Sequence, residues 1–390
     1  MSVPGRSAVI SPTKLARMQL PARRLGPWIA AAVLIVIGSV AMAVSALPKS
    51  SGTSADVQSR PSANAFVFGL DYADELPEES STALGASLND AGAVGAGWIR
   101  MDLAWYRVQP TPDVWDWSPI DRVVAAAKAR GLKVLAIVDQ APQWARQARC
   151  ADQLWCQPAD PTKFAAFAAK AAQRYPADVV SAWEVWNEEN LHTFWLPGPN
   201  PAAYSALLKA TAVAVTAVQP KARIVFGGLA IGSSPGSMSA HDFLLGAARA
   251  GGLAYVGAVA YHPYTFPAPP ASAKAFTDLG DSPDGITAVL DDYQASSLPI
   301  WLTETGAPVP DADSDPASAG PATRTEEQAQ AAYATALVKA ATANPRIKAL
   351  FWFSDIDLPG QQLYFGLRRA DGTRRPSFDA LHQAITASQH

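Results

Sequence analysis

Two carboxylates stand where their surroundings should exclude them. Residues 299–306, Pro-Ile-Trp-Leu-Thr-Glu-Thr-Gly, end an apolar run on Glu304, and residues 181–190, SAWEVWNEEN, end theirs on Asn187, Glu188, Glu189 and Asn190. Glutamate is depleted in strands and in interiors, so its placement there needs a compensating reason. Two carboxyls facing one another supply one. The first, protonated, gives its proton to a leaving oxygen, while the second attacks or stabilises the electron-poor carbon left behind. That is the chemistry of glycosidic bond cleavage. A pair of solvated surface carboxylates is the plain alternative, and it fits poorly with the apolar residues that lead into both.

Such groups need a rigid frame. From residue 64 onward, short apolar runs alternate with longer Ala-rich amphipathic stretches. Strands are predicted at 66–70, 98–103, 133–138, 179–186, 223–226, 256–261, 300–303 and 349–353. Helices are predicted after them, near 84–91, 118–129, 161–174, 201–218, 241–250, 285–293, 325–343 and 377–387, and Gly131 ends the second as a left-handed-tolerant residue should. Eight strand–helix pairs predict an α/β fold, a (β/α)₈ TIM barrel over 64–390. The rival, a doubly wound open sheet, lacks its Gly-rich phosphate turn after the first strand. In a barrel the strands' C-terminal ends carry the chemistry. Both candidate glutamates fall there.

Trp186-Asn187-Glu188 together with Thr303-Glu304 resembles clan A of the retaining glycoside hydrolases, and the two segments look most similar to family 39, which includes β-xylosidases and exopolysaccharide hydrolases. The resemblance covers about 64–386. It implies Glu188 as acid/base, Glu304 as nucleophile and Glu189 as a bystander. It also implies Arg100 beside the nucleophile, Asn187 on a sugar hydroxyl, His262 and Tyr264 near the nucleophile, and Trp352 as a sugar-stacking ring. Residues 365–376 resemble the closing hairpin of such barrels. Two departures stand out. The third strand ends in Asp139-Gln140 where many clan members have His, and the extra β-sandwich of family 39 xylosidases is not seen here.

No cofactor is expected. A metal-dependent hydrolase is disfavoured because none of the five histidines falls in His-x-His or His-x-x-x-His spacing. Twelve tryptophans, among them Trp105, Trp144, Trp155, Trp186, Trp195 and Trp352, suit an extended glycan cleft as a group. A catalytically inactive barrel that binds cell-envelope polysaccharide is the second reading, and retention of Glu188, Glu304, Arg100 and Asn187 argues against it.

Residues 1–27 carry five basic residues and no acidic one, so the rest has 26 basic against 34 acidic. An acidic body argues against a nucleic-acid partner. Residues 28–47 run without a charge, long enough at about 1.5 Å per residue to span about 30 Å of hydrocarbon. The preceding basic flank predicts a cytoplasmic N-terminus and an exported body. A retained signal-anchor and a signal peptide cleaved after Ala46 both fit. Residues 48–63 read as a polar linker. The two cysteines, Cys150 and Cys156, are expected to close a short disulfide loop in that compartment. The expected partners are an oligo- or polysaccharide and a membrane bound through the N-terminal helix, with the chain itself a monomer at the cell membrane, or secreted if the helix is cleaved.

Overall fold

The structure, a computed structural model, describes residues 66–232, 234–280, 282–310, 324–358 and 363–389. The basic segment 1–27, the apolar run 28–47 and the linker 48–63 lie outside the described residues.

Eight parallel strands close into a barrel, each hydrogen-bonded to the next and the last to the first. In chain order the main elements are β1 (Val67–Asp71), α1 (Ser81–Val94), β2 (Trp98–Ala104), α2 (Ser118–Ala129), β3 (Lys133–Asp139), α3 (Pro161–Arg174), β4 (Val180–Asn187) and α4 (Pro201–Val218). They continue as β5 (Arg223–Ala230), α5 (Ala240–Arg249), β6 (Ala258–His262), α6 (Ile286–Asp292), β7 (Ile300–Thr305), α7 (Arg324–Ala343), β8 (Ile347–Phe353) and α8 (Pro376–Ser388). The expected (β/α)₈ barrel is therefore present. Local chemistry starts its helices: Ser80, Asp160, Asn200 and Ser239 accept from backbone N–H groups of the first turn, and proline follows the cap of α3 and α4.

Alternation along the strands divides the core in two. Leu135, Ala182, Val225, Ala258, Ala260, Trp301, Ala349 and Phe351 fill the barrel. Their neighbours, among them Val134, Trp183, Phe226, Val259, Leu302 and Leu350, pack outward against the helices. Gly69 is needed in the inner layer, because a Cβ there would come 2.3 Å from the Phe351 ring. β5 runs four residues beyond its expected end. Within that extension Gly227 and Gly228 are sites of close approach inside the strand.

Among the described residues one helix, α4, is long and apolar enough to cross a membrane. Its apolar face is used on the barrel, where Tyr204, Leu207, Leu208 and Val215 are buried. The segment after β8 is tied down by buried ion pairs of Arg368 with Asp355 and of Arg375 with Asp357 (2.6 Å) and Glu327 (3.2 Å). Antiparallel pairing of Arg368 with Arg374 closes the expected hairpin.

Candidate active site

The inward parity that fills the barrel with apolar residues carries charge at its C-terminal end. Arg100 on β2, wholly buried, is the hub. Its Nη1 donates to Asp71 on β1 at 2.8 Å and to Glu304 on β7 at 3.1 Å. Nε and Nη2 grip both oxygens of Glu184 on β4 at 3.0 Å, and Nη2 reaches Asn187 Oδ1 at 2.7 Å. Desolvating a guanidinium is costly, and this fan of carboxylates is the compensation.

The end of β4 breaks the strand's pleat. Trp186 and Glu188 both have left-handed backbone, at φ 70° and 50°. Non-glycine residues held there cost about 1–3 kcal/mol each and cluster at functional sites. The consequence is geometric: Trp186 is buried against the helices, while Asn187 and Glu188, consecutive in sequence, both reach the polar end of the barrel.

Glu304 accepts from Tyr264 Oη at 2.7 Å as well as from Arg100. Glu188 Oε1 lies 3.0 Å from His262 Nδ1, and His262 Nε2 lies 3.0 Å from Thr303 Oγ1. Gly228 on β5 makes room for that ring, since a Cβ there would fall 2.0 Å from Nε2. Side-chain donor atoms of Glu188, His262 and Glu304 lie within 4.8 Å of one another. Their side chains keep a small solvent face, 13% for Glu188 and 18% for Glu304. Burial pushes the Glu188 carboxyl up to about 7, with Arg100 pulling the other way. Burial pushes His262 down to about 4, so its imidazole is neutral at ordinary pH. The same triad could hold a cation by spacing alone. However, Arg100, Tyr264 and Thr303 already occupy Glu304 and His262, and the Arg100 charge would repel a second cation.

Six of the expected site residues, namely Arg100, Asn187, Glu188, His262, Tyr264 and Glu304, converge here. Trp352 does not. Next along β8 from inward Phe351, its parity points it outward. It is 1% exposed, lies edge-on to Tyr333 of α7 and donates to the Phe365 carbonyl at 3.3 Å, so no ring face is left for a sugar. Three of the other tryptophans behave similarly. Trp105, Trp186 and Trp195 are buried, packing on Phe167, Trp144 and one another rather than lining a groove.

Sequence reasoning passed over Glu184, Asp71 and Thr303. The signal for Glu184 was present, since it sits in an apolar strand as Glu304 does. It named Asp139-Gln140 only as a departure and did not see that Asp139 joins a second acidic group. Asp102 and Asp139 face inward from β2 and β3, and Gln140 Nε2 donates to Asp102 at 3.1 Å. The Gln140 amide also stands beside Asp139, whose oxygens no cation reaches. The expected disulfide joins Cys150 and Cys156 beside the loop after β3.

The sequence profile of the cellulase family, glycosyl hydrolase family 5, matches residues 76–356. Similar solved structures include a family 39 glycoside hydrolase from the gut symbiont Bacteroides cellulosilyticus WH2 (20% identity, TM-score 0.61, 83% of this chain and 64% of that one). They also include a family 39 β-xylosidase from Caulobacter crescentus (20%, 0.57, 83% and 72%). A family 5 protein of Streptomyces cattleya, solved with GlcNAc, is a third (18%, 0.59, 84% and 81%). At these identities the structures speak for the fold, and the chain spans 64% of the first. No curated protein matches the chain by sequence. Family 39 enzymes thus recur among the structural relatives, as the strand-end motifs suggested, while the matching profile is that of a sister family. The chain belongs to the cellulase family of glycoside hydrolases, family 5, within clan A.

Proposed function

We propose that this protein is a retaining O-glycosidase that acts outside the cytoplasm, with Glu188 as acid/base and Glu304 as nucleophile. One observation carries the reading: oxygens of the two carboxyls lie within 4.8 Å across the barrel mouth. Double displacement uses carboxyls about 5–5.5 Å apart, whereas inversion needs about 6.5–9.5 Å to admit a water.

The surroundings divide the two roles. Arg100 and Tyr264 both donate to Glu304, which aligns it as a carboxylate for attack on the anomeric carbon. Glu188 retains its proton up to about pH 7 and gives it to the leaving oxygen as the C–O bond breaks. A water then gives its proton to Glu188 while its oxygen displaces Glu304 from the sugar. Asn187, held at Oδ1 by Arg100, keeps its amide hydrogens for a substrate hydroxyl.

The apolar run 28–47 with its basic flank supports anchorage at the membrane with the barrel on the far side. The Cys150–Cys156 bridge suits that compartment. A screen of aryl β-glycosides and polysaccharides, with product anomers followed by NMR, tests the mechanism. Retention at the anomeric carbon and labelling of Glu304 by a cyclitol epoxide are expected. Inverted product, or a Glu304→Gln variant that turns over normally, would overturn it.

A further inference from the structure

Beyond the two carboxyls lies a chain of hydrogen bonds that the reaction as described does not use. Arg100 holds Glu184 by both oxygens, Thr303 Oγ1 lies 3.3 Å from Glu184 Oε1, His262 Nε2 lies 3.0 Å from Thr303 Oγ1, and His262 Nδ1 lies 3.0 Å from Glu188 Oε1. We infer that Thr303 and Glu184 are positioning residues that fix the tautomer of His262 and so keep the catalytic proton on Glu188. The inference rests on Glu188 being the acid/base.

The assignment follows from counting hydrogens. Glu184, paired to a guanidinium through both oxygens, can only accept. Thr303 has one hydroxyl hydrogen. Spent on Glu184, it leaves the Thr303 oxygen to accept from His262 Nε2–H. Spent on His262 instead, it leaves two oxygens 3.3 Å apart with no hydrogen between them. With the ring neutral and its hydrogen on Nε2, Nδ1 presents a lone pair to Glu188. A lone pair at 3.0 Å favours the carboxylic acid over the carboxylate, because only the acid has a hydrogen to offer.

The same tautomer serves both steps. In the first, the Glu188 O–H bond breaks toward the leaving oxygen, and the carboxylate that remains faces a lone pair. In the second, that unfavourable contact makes Glu188 a stronger base, and the proton it takes from water restores the starting state. The other groups around this pair are Arg100 from β2, Glu184 and Glu189 from β4 and its following loop, Tyr264 after β6 and Glu304 on β7. Of these, Arg100 works against protonation of Glu188, so a neighbour that favours the acid form has a task.

The test is NMR of the full chain with isotope-labelled histidine, the His262 signals assigned by their loss in His262→Gln. A neutral ring protonated on Nε2 is expected in the parent and in Thr303→Ser. In Thr303→Val the ring is expected to move toward Nδ1–H. A ring protonated on Nδ1 in the parent would sink the inference, whatever the protein hydrolyses. Kinetics supply the second arm, using nitrophenyl and dinitrophenyl glycosides of the sugar cleaved best. In Thr303→Val the basic limb of kcat/KM on the nitrophenyl glycoside should fall by about one pH unit. The dinitrophenyl glycoside, whose leaving group needs little protonation, should lose far less, and Thr303→Ser should restore the parent profile. An unmoved basic limb in a folded Thr303→Val refutes the relay. Failure of the parent to cleave any glycoside defeats the glycosidase reading instead, and the tautomer result stands apart from it.

Discussion

Two groups of buried carboxyls share the rim of this barrel, and they are held by different partners. Around Arg100, Asp71, Glu184 and Glu304 each receive at least one hydrogen bond from a guanidinium, which opposes but does not cancel the burial that pushes Asp71 up to about 7. A few residues away, Asp102 and Asp139 have the Gln140 amide beside them, and no guanidinium donates to either. Burial and mutual repulsion hold both of these acids well above the ordinary carboxyl range. The contrast shows what the barrel does with charge. Where the chemistry needs a carboxylate in a fixed place, at Glu304, a cation donates to it. Where no guanidinium donates to it, burial wins and the carboxyl favours its protonated form.

Removing the cation should have the largest effect. Arg100→Met leaves Glu184 and Asp71 buried without a counter-charge and Glu304 without one of its two donors. Stripping one partner from a buried ion pair costs about 3–5 kcal/mol. Thermal unfolding should show a loss of that order, and turnover should vanish with it. If Arg100→Met is as stable as the parent, the cation-held half of the comparison is wrong.

The acid pair predicts a smaller effect with a definite sign. Because the folded-state pKa of Asp139 lies above the unfolded value, the native state binds the extra proton between the two. Stability therefore falls as pH rises through that window, by up to about 1.4 kcal/mol per pH unit for one proton. Asp139→Asn has no proton to take up, so denaturant unfolding of the variant should depend less on pH, and the variant should gain on the parent as pH rises. Equal pH slopes for variant and parent would mean that Asp139 is ionised and held by something else.

These two groups were unequally legible in the sequence. The barrel was readable because its signal is periodic: strands such as Lys133–Asp139 and helices such as Pro161–Arg174 fall close to where alternation and capping place them. Glu188 and Glu304 were readable because a carboxylate at the end of an apolar strand is conspicuous. Partnership was not readable. Arg100, Glu184 and Thr303 lie on three different strands, and only the register of the closed barrel sets them side by side. Trp352 was misplaced for a related reason. Being one residue from Phe351 decides between barrel interior and helix layer, and a strand boundary uncertain by one residue reverses that choice. The left-handed turns at Trp186 and Glu188 hid as well, because neither position carries the glycine that usually marks such a backbone.

Those turns set up the smallest and sharpest test, between consecutive glutamates. Glu188 reaches His262 and keeps a face toward solvent, whereas Glu189 is fully buried beneath β5, where a Cβ on Gly227 would come 2.2 Å from its Oε2. Tyr204 stands close by, but its hydroxyl proton goes to the Val185 carbonyl at 3.0 Å. Burial holds the Glu189 carboxyl well above its usual range, so it belongs with Asp139 as a neutral acid in the protein's interior. Glu188→Gln should therefore cost about 10²–10⁴ in kcat/KM on substrates with poor leaving groups, the usual worth of a general acid. Glu189→Gln replaces a neutral acid by a neutral amide of the same shape, and kcat/KM should stay within about twofold of the parent. A Glu189→Gln variant that folds normally and yet loses activity as Glu188→Gln does would show that the turn presents the wrong glutamate to the substrate.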